Sequence, residues 1–445
     1  METMLFGIPN LGFYISLLIL VGLLVTGVPA PFCFMASLAF LVYLYGLEVG
    51  ALLPMSFFNM SSLTIIAAPL FIMAGGLMGS SGIATRLIAI AKALVGRLKG
   101  GLGAVMIVAC AMSGAIAGTC SAAVAAIGSI LIPEMEKEGY SRGYATGLVA
   151  VASVLGQLIP PSVPMILFAF ITRLSVAACF LTTVGPGIIT IIIYSIVNYF
   201  MVRNNPNIKV LPPATPRQQV KELAVASYRG FFALLIPVII FGGIYGGIMT
   251  PTEAAAVAVV SAVLIGLFGY RTLNLKGLSK TFQIACTTIG VVMLVTFFVM
   301  MLSRVYTMLN IPQNVIATVT GISENYYVMM LMINVFLLFL GTLIEDFSGT
   351  LLAAPLLFPL IKHMGVNPYH FAAILGTNLG LGNVTPPTAE ILYLSARIGN
   401  VTIDKMIKPA LIFMVCGALP VVLITAYWPD LSLFIPRLVM PDVVG

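Results

Sequence analysis

Two heptapeptides carry the same chemistry: GQLIPPS from Gly156 to Ser162 and GNVTPPT from Gly382 to Thr388, 226 residues further on. Each sets a glycine, an amide side chain (Gln157 or Asn383), a proline pair and a hydroxyl (Ser162 or Thr388) inside an otherwise apolar run. A proline within a helix removes an amide donor and clashes with the preceding turn, so two in succession make a continuous helix untenable. In hydrocarbon the freed carbonyls are costly unless they face protein, water or an ion. Carbonyl, amide and hydroxyl oxygens together make a ring of neutral hard ligands, the donor set of an alkali cation. A kinked helix with no ligand is the plainer reading of either copy alone, and the doubling favours the ion.

Each heptapeptide has a companion about 35 residues upstream: SGAIAGTCSAA from Ser113 to Ala123 and GTLIEDFSGTLL from Gly341 to Leu352. Both are small and polar within apolar runs, which suits the tip of a re-entrant hairpin. Small residues allow close backbone approach, and the start of the second arm offers amide donors to an anion. A packing face of small residues is the alternative. Glu345 and Asp346 are the one adjacent acidic pair in the chain. Carboxylates within a membrane are functional candidates, although a wet hairpin mouth would also hold them. Glu253 reads differently. In TPTE, Thr250 is a good N-cap, Pro251 fits the first helical position and Glu253 stands where a capping box needs its carboxylate, so capping is favoured over ligation.

The elements that must position these residues are membrane helices. Hydrophobic residues form 60% of the 445, charged residues 8%, and mean hydropathy is +1.12, outside the range of soluble domains. At about 20 residues per helical crossing, the chain has room for roughly 10 to 12. The first basic residue is Arg86, so the opening apolar run lacks the basic start of a removable signal peptide and is expected to be a retained span. Six isolated cysteines and two histidines give neither a disulfide framework nor a zinc site. The net charge of +7 sets orientation in a membrane chain and does not mark a nucleic-acid binder. No GxxxxGK[ST] loop is present, which excludes a Walker-type ATP site.

The 226-residue offset reaches beyond the heptapeptides, pairing Pro133 with Pro359, Gly139 with Gly365 and Leu155 with Leu381. Two repeats follow, 1–202 and 230–445, with hairpin tips near 113–123 and 345–352 and broken helices at 156–162 and 382–388. Residues 80–142 carry six basic side chains and the equivalent 306–368 only one lysine. Basic loops favour the cytoplasm, so the repeats are expected to be inverted, as in many secondary transporters. The polar stretch 203–229 reads as a cytoplasmic linker, partly an amphipathic surface helix, and the amino terminus as external.

GGIYGGIMTPTEAAAVA, LIPEMEKEGYSRGYATGL, GQLIPPSVPMILFA and GNVTPPTAEI resemble the large membrane subunit of TRAP transporters, the tripartite ATP-independent periplasmic uptake systems, over essentially the whole chain. The resemblance implies an all-α integral membrane protein: an inverted-repeat, elevator-type secondary transporter with two re-entrant helical hairpins and about eleven spans. It implies a multi-pass chain of the bacterial inner membrane, coupled to two or more sodium ions and using no organic cofactor. It also implies a separate small four-helix membrane subunit and a periplasmic substrate-binding protein that delivers an organic acid anion such as a C4-dicarboxylate or sialic acid. Carried over by motif, Ser113, Gly118, Thr119 and Ser121 with Gly156, Gln157, Pro160 and Ser162 would form one sodium site. Asp346, Ser348 and Gly349 with Gly382, Asn383, Thr385, Pro386 and Thr388 would form the other. Substrate would lie between the tips against Ser121, Ser162, Ser348 and Thr388. A carboxylate carrier of similar fold, coupled to sodium or protons and independent of a binding protein, shares the symmetry. GSSG at Gly79 to Gly82 matches an intramembrane serine protease motif, which would need His363 or His370 beside Ser81.

Overall fold

The computed structural model describes residues 4–5, 8–9, 11–97, 100–208, 215–386 and 389–444. Helices dominate because a lipid-embedded backbone must satisfy its own polar groups. A two-residue antiparallel pairing of Met4–Leu5 with Ile8–Pro9 is the only sheet among the described residues. Among the described residues, six helices are long and apolar enough to cross a membrane: Leu63–Ser80, Val176–Val202, Pro251–Gly269, Leu275–Met308, Tyr326–Leu343 and Ile403–Tyr427. Two bent pairs would raise the number to eight if each were one span: Arg142–Leu158 with Val163–Thr172, at 42°, and Pro216–Arg229 with Phe231–Tyr245, at 75°. Chain length alone suggested more crossings. Three further apolar helices, Leu11–Val25, Ala30–Tyr45 and Gly101–Ala117, are shorter than 18 residues.

Leu63–Ser80 is central, packed against Pro251–Leu264, Leu275–Met308 and the hairpin arm Gly101–Ala117. Its glycines permit this: a Cβ on Gly75 would stand 2.9 Å from the Ala117 Cβ. The 34-residue helix Leu275–Met308 is capped by Asn274, whose Oδ1 accepts from the Gly277 amide at 2.7 Å. It runs past Ala30–Tyr45 and also touches Asp346–His363.

The linker includes the helix Pro216–Arg229. Pro216–Arg229 buries no residue, and its start is fixed by a capping box between Thr215 and Gln218. Arg97 donates to Glu222 Oε1 at 2.6 Å, clamping the helix beside Ile83–Val95. That hydrogen bond and the guanidinium charge hold the Glu222 carboxyl below its ordinary value. Residues 209–214 lie outside the described residues.

Glu253 caps, as its spacing suggests. Its Oε2 accepts from the Thr250 amide at 2.7 Å and hydroxyl at 2.9 Å, while Thr250 Oγ1 accepts from the Glu253 amide at 3.3 Å. Thr250→Ala is expected to cost about 1 kcal/mol of stability, read as a lower thermal midpoint with transport retained. Abolished transport at an unchanged midpoint would contradict the capping role.

Candidate functional site

The first hairpin turns at Gly118, where Gly101–Ala117 ends with φ +67°, a conformation that favours glycine. A Cβ there would lie 2.6 Å from the Pro161 carbonyl oxygen, so the tip sits directly on the broken helix. The Val163 amide donates to the Gly118 carbonyl at 3.1 Å. Thr119 caps the returning arm, its Oγ1 accepting from the Ala122 amide at 3.3 Å. Cys120–Ala123 then passes through a π-turn, Val124–Gly128, into Ser129–Lys137. A Cβ on Gly114 would meet the Leu155 carbonyl at 2.7 Å and Gly156 Cα at 2.9 Å, and one on Gly156 would meet the Thr119 carbonyl at 2.7 Å.

The facing helix runs Arg142–Ala152 and Leu155–Leu158, turns extended at Ile159, and resumes at Val163–Thr172. Gln157 is buried; its Nε2 donates to the Gly376 carbonyl at 3.3 Å, and its Oε1 has no partner. Ser162 is also buried, with its hydroxyl unpartnered. Ser121 is half-buried on the returning arm. Ser113 stands in the first arm with its hydroxyl turned toward Met78 Sδ at 3.8 Å, so only its backbone can face the break.

The second hairpin repeats this arrangement. Tyr326–Leu343 leads to a turn at Ile344 and Glu345, and Asp346–His363 returns. A Cβ on Gly382 would stand 2.5 Å from Gly341 Cα, so arm and broken helix again meet glycine to glycine. Buried Asp346 accepts from the Phe347 amide at 3.1 Å. Ser348 Oγ donates to Glu345 Oε1 at 3.2 Å, and Gly349 faces the Leu379 side chain. Pro368–Gly382 stops at Asn383, whose buried side chain reaches Asp346 while its Oδ1 is unpartnered. The Thr385 amide donates to the Gly382 carbonyl at 2.8 Å and its hydroxyl to the Leu381 carbonyl at 2.7 Å. Pro386 is half-buried; Pro387 and the candidate ligand Thr388 lie outside the described residues.

The two hairpins touch at their tips. Cys120 Sγ lies 3.9 Å from Asp346 Oδ2, and these residues are 226 apart, the offset of the heptapeptides. The Gln157–Gly376 hydrogen bond joins the two broken helices in the same region. Four elements therefore converge, carrying five buried oxygens without partners: Gln157 Oε1, Ser162 Oγ and Asn383 Oδ1 at the breaks, with Thr350 Oγ1 and Asn378 Oδ1 on the adjoining helices.

Sequence reasoning passed over Glu390. It lines a cavity of about 290 Å³ with Glu345 and Asn383, its carboxylate within hydrogen-bonding reach of Glu345. The signal was available: at the repeat offset Glu390 replaces Pro164, placing an acid two residues after the second break. Cys120 also escaped notice, although the same offset pairs it with Asp346. The protease motif finds no support. Ser81 is buried and donates to the Met78 carbonyl at 3.3 Å, while His370 Nδ1 pairs with Ser432 Oγ at 2.7 Å.

Paired hairpin tips seated on paired broken helices, in an all-helical chain with several apolar spans, define a multi-pass membrane transport protein. The chain belongs to the DctM component family of tripartite ATP-independent periplasmic transporters, whose family model matches residues 17–430. It is 34% identical over 418 residues to the sialic acid TRAP transporter large permease protein SiaM of Vibrio cholerae, covering 94% of this chain and 96% of that one. It is 34% identical over 374 residues to the C4-dicarboxylate TRAP transporter large permease protein DctM of Pseudomonas aeruginosa, covering 84% and 86%. Among solved structures, the YdaH transporter of Alcanivorax borkumensis shares the fold, with a TM-score of 0.55 at 13% identity over 84% of this chain and 88% of that one. The family is one of transporter permeases, not enzymes.

Proposed function

We propose that the chain is the large permease subunit of a sodium-coupled TRAP importer for an organic acid anion, a C4-dicarboxylate, a sialic acid or a related carboxylate. The observation that carries this reading is the pair of buried, unpartnered amide oxygens, Gln157 Oε1 and Asn383 Oδ1, at the same position of two breaks 226 residues apart. A buried acceptor without a donor is costly, and a sodium ion would relieve both. Gly118, Thr119 and Ser121, with the Ser113 backbone, would close the first site over Gly156, Gln157, Pro160 and Ser162. Asp346, Ser348 and Gly349 would close the second over Gly382, Asn383, Thr385, Pro386 and Thr388. The substrate carboxylate would lie between the tips, against Ser121, Ser162, Ser348 and Thr388.

Each inward sodium contributes about 2.3 kcal/mol per 100 mV of membrane potential, so two ions carrying a monoanion move one net positive charge inward, whereas two carrying a dianion are electroneutral and draw on the sodium concentration gradient alone. The two repeats, 1–202 and 230–445, would be inverted about the Cys120–Asp346 contact. The hairpins with their broken helices would move as an elevator past spans seated on a small four-helix membrane subunit in the bacterial inner membrane. A periplasmic binding protein would deliver the substrate.

The test is uptake of radiolabelled carboxylates into proteoliposomes holding the chain with its small subunit, with the binding protein outside. Uptake that requires an inward sodium gradient and the binding protein is expected. Uptake indifferent to the binding protein would favour a free-standing carrier, and sodium-independent uptake would remove the coupling ion from the two breaks.

A further inference from the structure

On the side marked by basic loops, two adjoining cavities of about 760 and 330 Å³ share Arg86 and Arg229. Lys221 adds a third cation to the smaller one. Glu222 is the only carboxylate lining either cavity, and it is held by Arg97 at 2.6 Å. Among the described residues, Arg86, Lys221 and Arg229 form no ion pair. Half-buried Arg86 lies over the Tyr270 ring, 5.2 Å from its centroid, and Tyr270 Oη accepts from the Ala233 amide at 3.1 Å. The floor of the cleft is thereby fixed.

The rim is apolar and open: Tyr228 is 86% exposed, Phe231 56% and Phe232 44%. The 75° bend at Gly230 lays the surface helix across the start of a span, the posture of an amphipathic helix in the headgroup layer. Basic pockets between spans on the cytoplasmic side suit anionic headgroups, and aromatic rings belong at that depth. A soluble phosphate would use the charges and leave the aromatic rim uncovered.

We propose that this cleft, between Pro216–Arg229 and the helix Ile83–Val95, binds the phosphate headgroup of an anionic phospholipid, whose acyl chains cover Phe231 and Phe232. Arg86 and Arg229 grip the phosphate, and Lys221 approaches it from the surface helix. The bound lipid ties the linker helix to the first repeat.

The experiment is native mass spectrometry of the full chain in a neutral detergent, titrated with cardiolipin, phosphatidylglycerol or phosphatidylcholine. Preferential retention of the anionic lipids is expected, weakened about 30-fold in Arg86→Gln/Arg229→Gln, the combined effect of two basic groups at a membrane surface. Arg437→Gln, in an ion pair elsewhere, should leave retention unchanged. Should the double variant fail to fold, exposed Lys221→Gln alone should weaken retention about fivefold. Equal retention by variants and parent would overturn the proposal. So would displacement of the lipid by millimolar inorganic phosphate, which would make the cleft a soluble-anion site, or by the small membrane subunit, which would make it a protein interface.

Discussion

Gln157→Ala and Asn383→Ala are each expected to lower uptake at limiting sodium by about 10- to 150-fold, the loss of one good hydrogen-bond-strength contact to a charged group. Both side chains are buried, yet neither amide oxygen has a donor within the protein. Removing such an oxygen relieves an unsatisfied acceptor, but Gln157→Ala also gives up the hydrogen bond to Gly376 and Asn383→Ala the contact with Asp346, so some loss of stability should accompany the fall in cation affinity. The readout that separates these effects is the sodium dependence of initial uptake. Half-saturation should move to higher sodium and saturating sodium should restore much of the rate. A variant with ordinary sodium dependence and a normal thermal midpoint would sink the assignment of a cation to its break. Because the two oxygens stand at different breaks, the single variants should shift different sodium-binding steps.

Gly382→Ala should abolish transport while leaving the protein inserted and largely folded. The added methyl group would stand 2.5 Å from Gly341 Cα, and backbone cannot rotate aside as a side chain can. Overpacking of this kind costs about 1 to 3 kcal/mol, concentrated where the hairpin meets its broken helix. Gly156→Ala makes the same test in the first repeat, 2.7 Å from the Thr119 carbonyl. Gly290→Ala is the control: nothing lies within 4 Å of the added Cβ, and alanine in a helix interior is favoured over glycine. Uptake by Gly382→Ala at the parental rate would mean that the hairpin and helix need not fit closely to work.

Much of this arrangement could be read from residue types. The proline pairs located the breaks because proline acts through local backbone geometry, which needs no knowledge of neighbours. TPTE revealed its capping box for the same reason: Thr250 and Glu253 are three residues apart on one helix turn. Long-range partners were less legible. Nothing local in SGAIAGTCSAA says that Ser113 turns toward Met78 while Gly114 faces Gly156, because direction around a uniformly apolar helix leaves no periodic trace. Glu390 shows the converse: the repeat offset marks its position opposite Pro164, but its approach to Glu345 is a long-range contact that no local pattern announces. A count from chain length treats every apolar segment as one uninterrupted helix, whereas several apolar segments here are short or bent.

The helix Leu275–Met308 has 34 residues, about 51 Å at 1.5 Å per residue, against a hydrocarbon layer of about 30 Å. Tilting alone would need about 54°, beyond the usual range of up to about 40°. The helix must therefore emerge, and Lys276 and Lys280 in its opening turns and Arg304 near its end place charged side chains at both of its ends. Its depth is set by these charged anchors and not by hydrophobic matching. Thinning or thickening of the bilayer would be absorbed by how far the helix projects, leaving its contact with Asp346–His363 at a constant height.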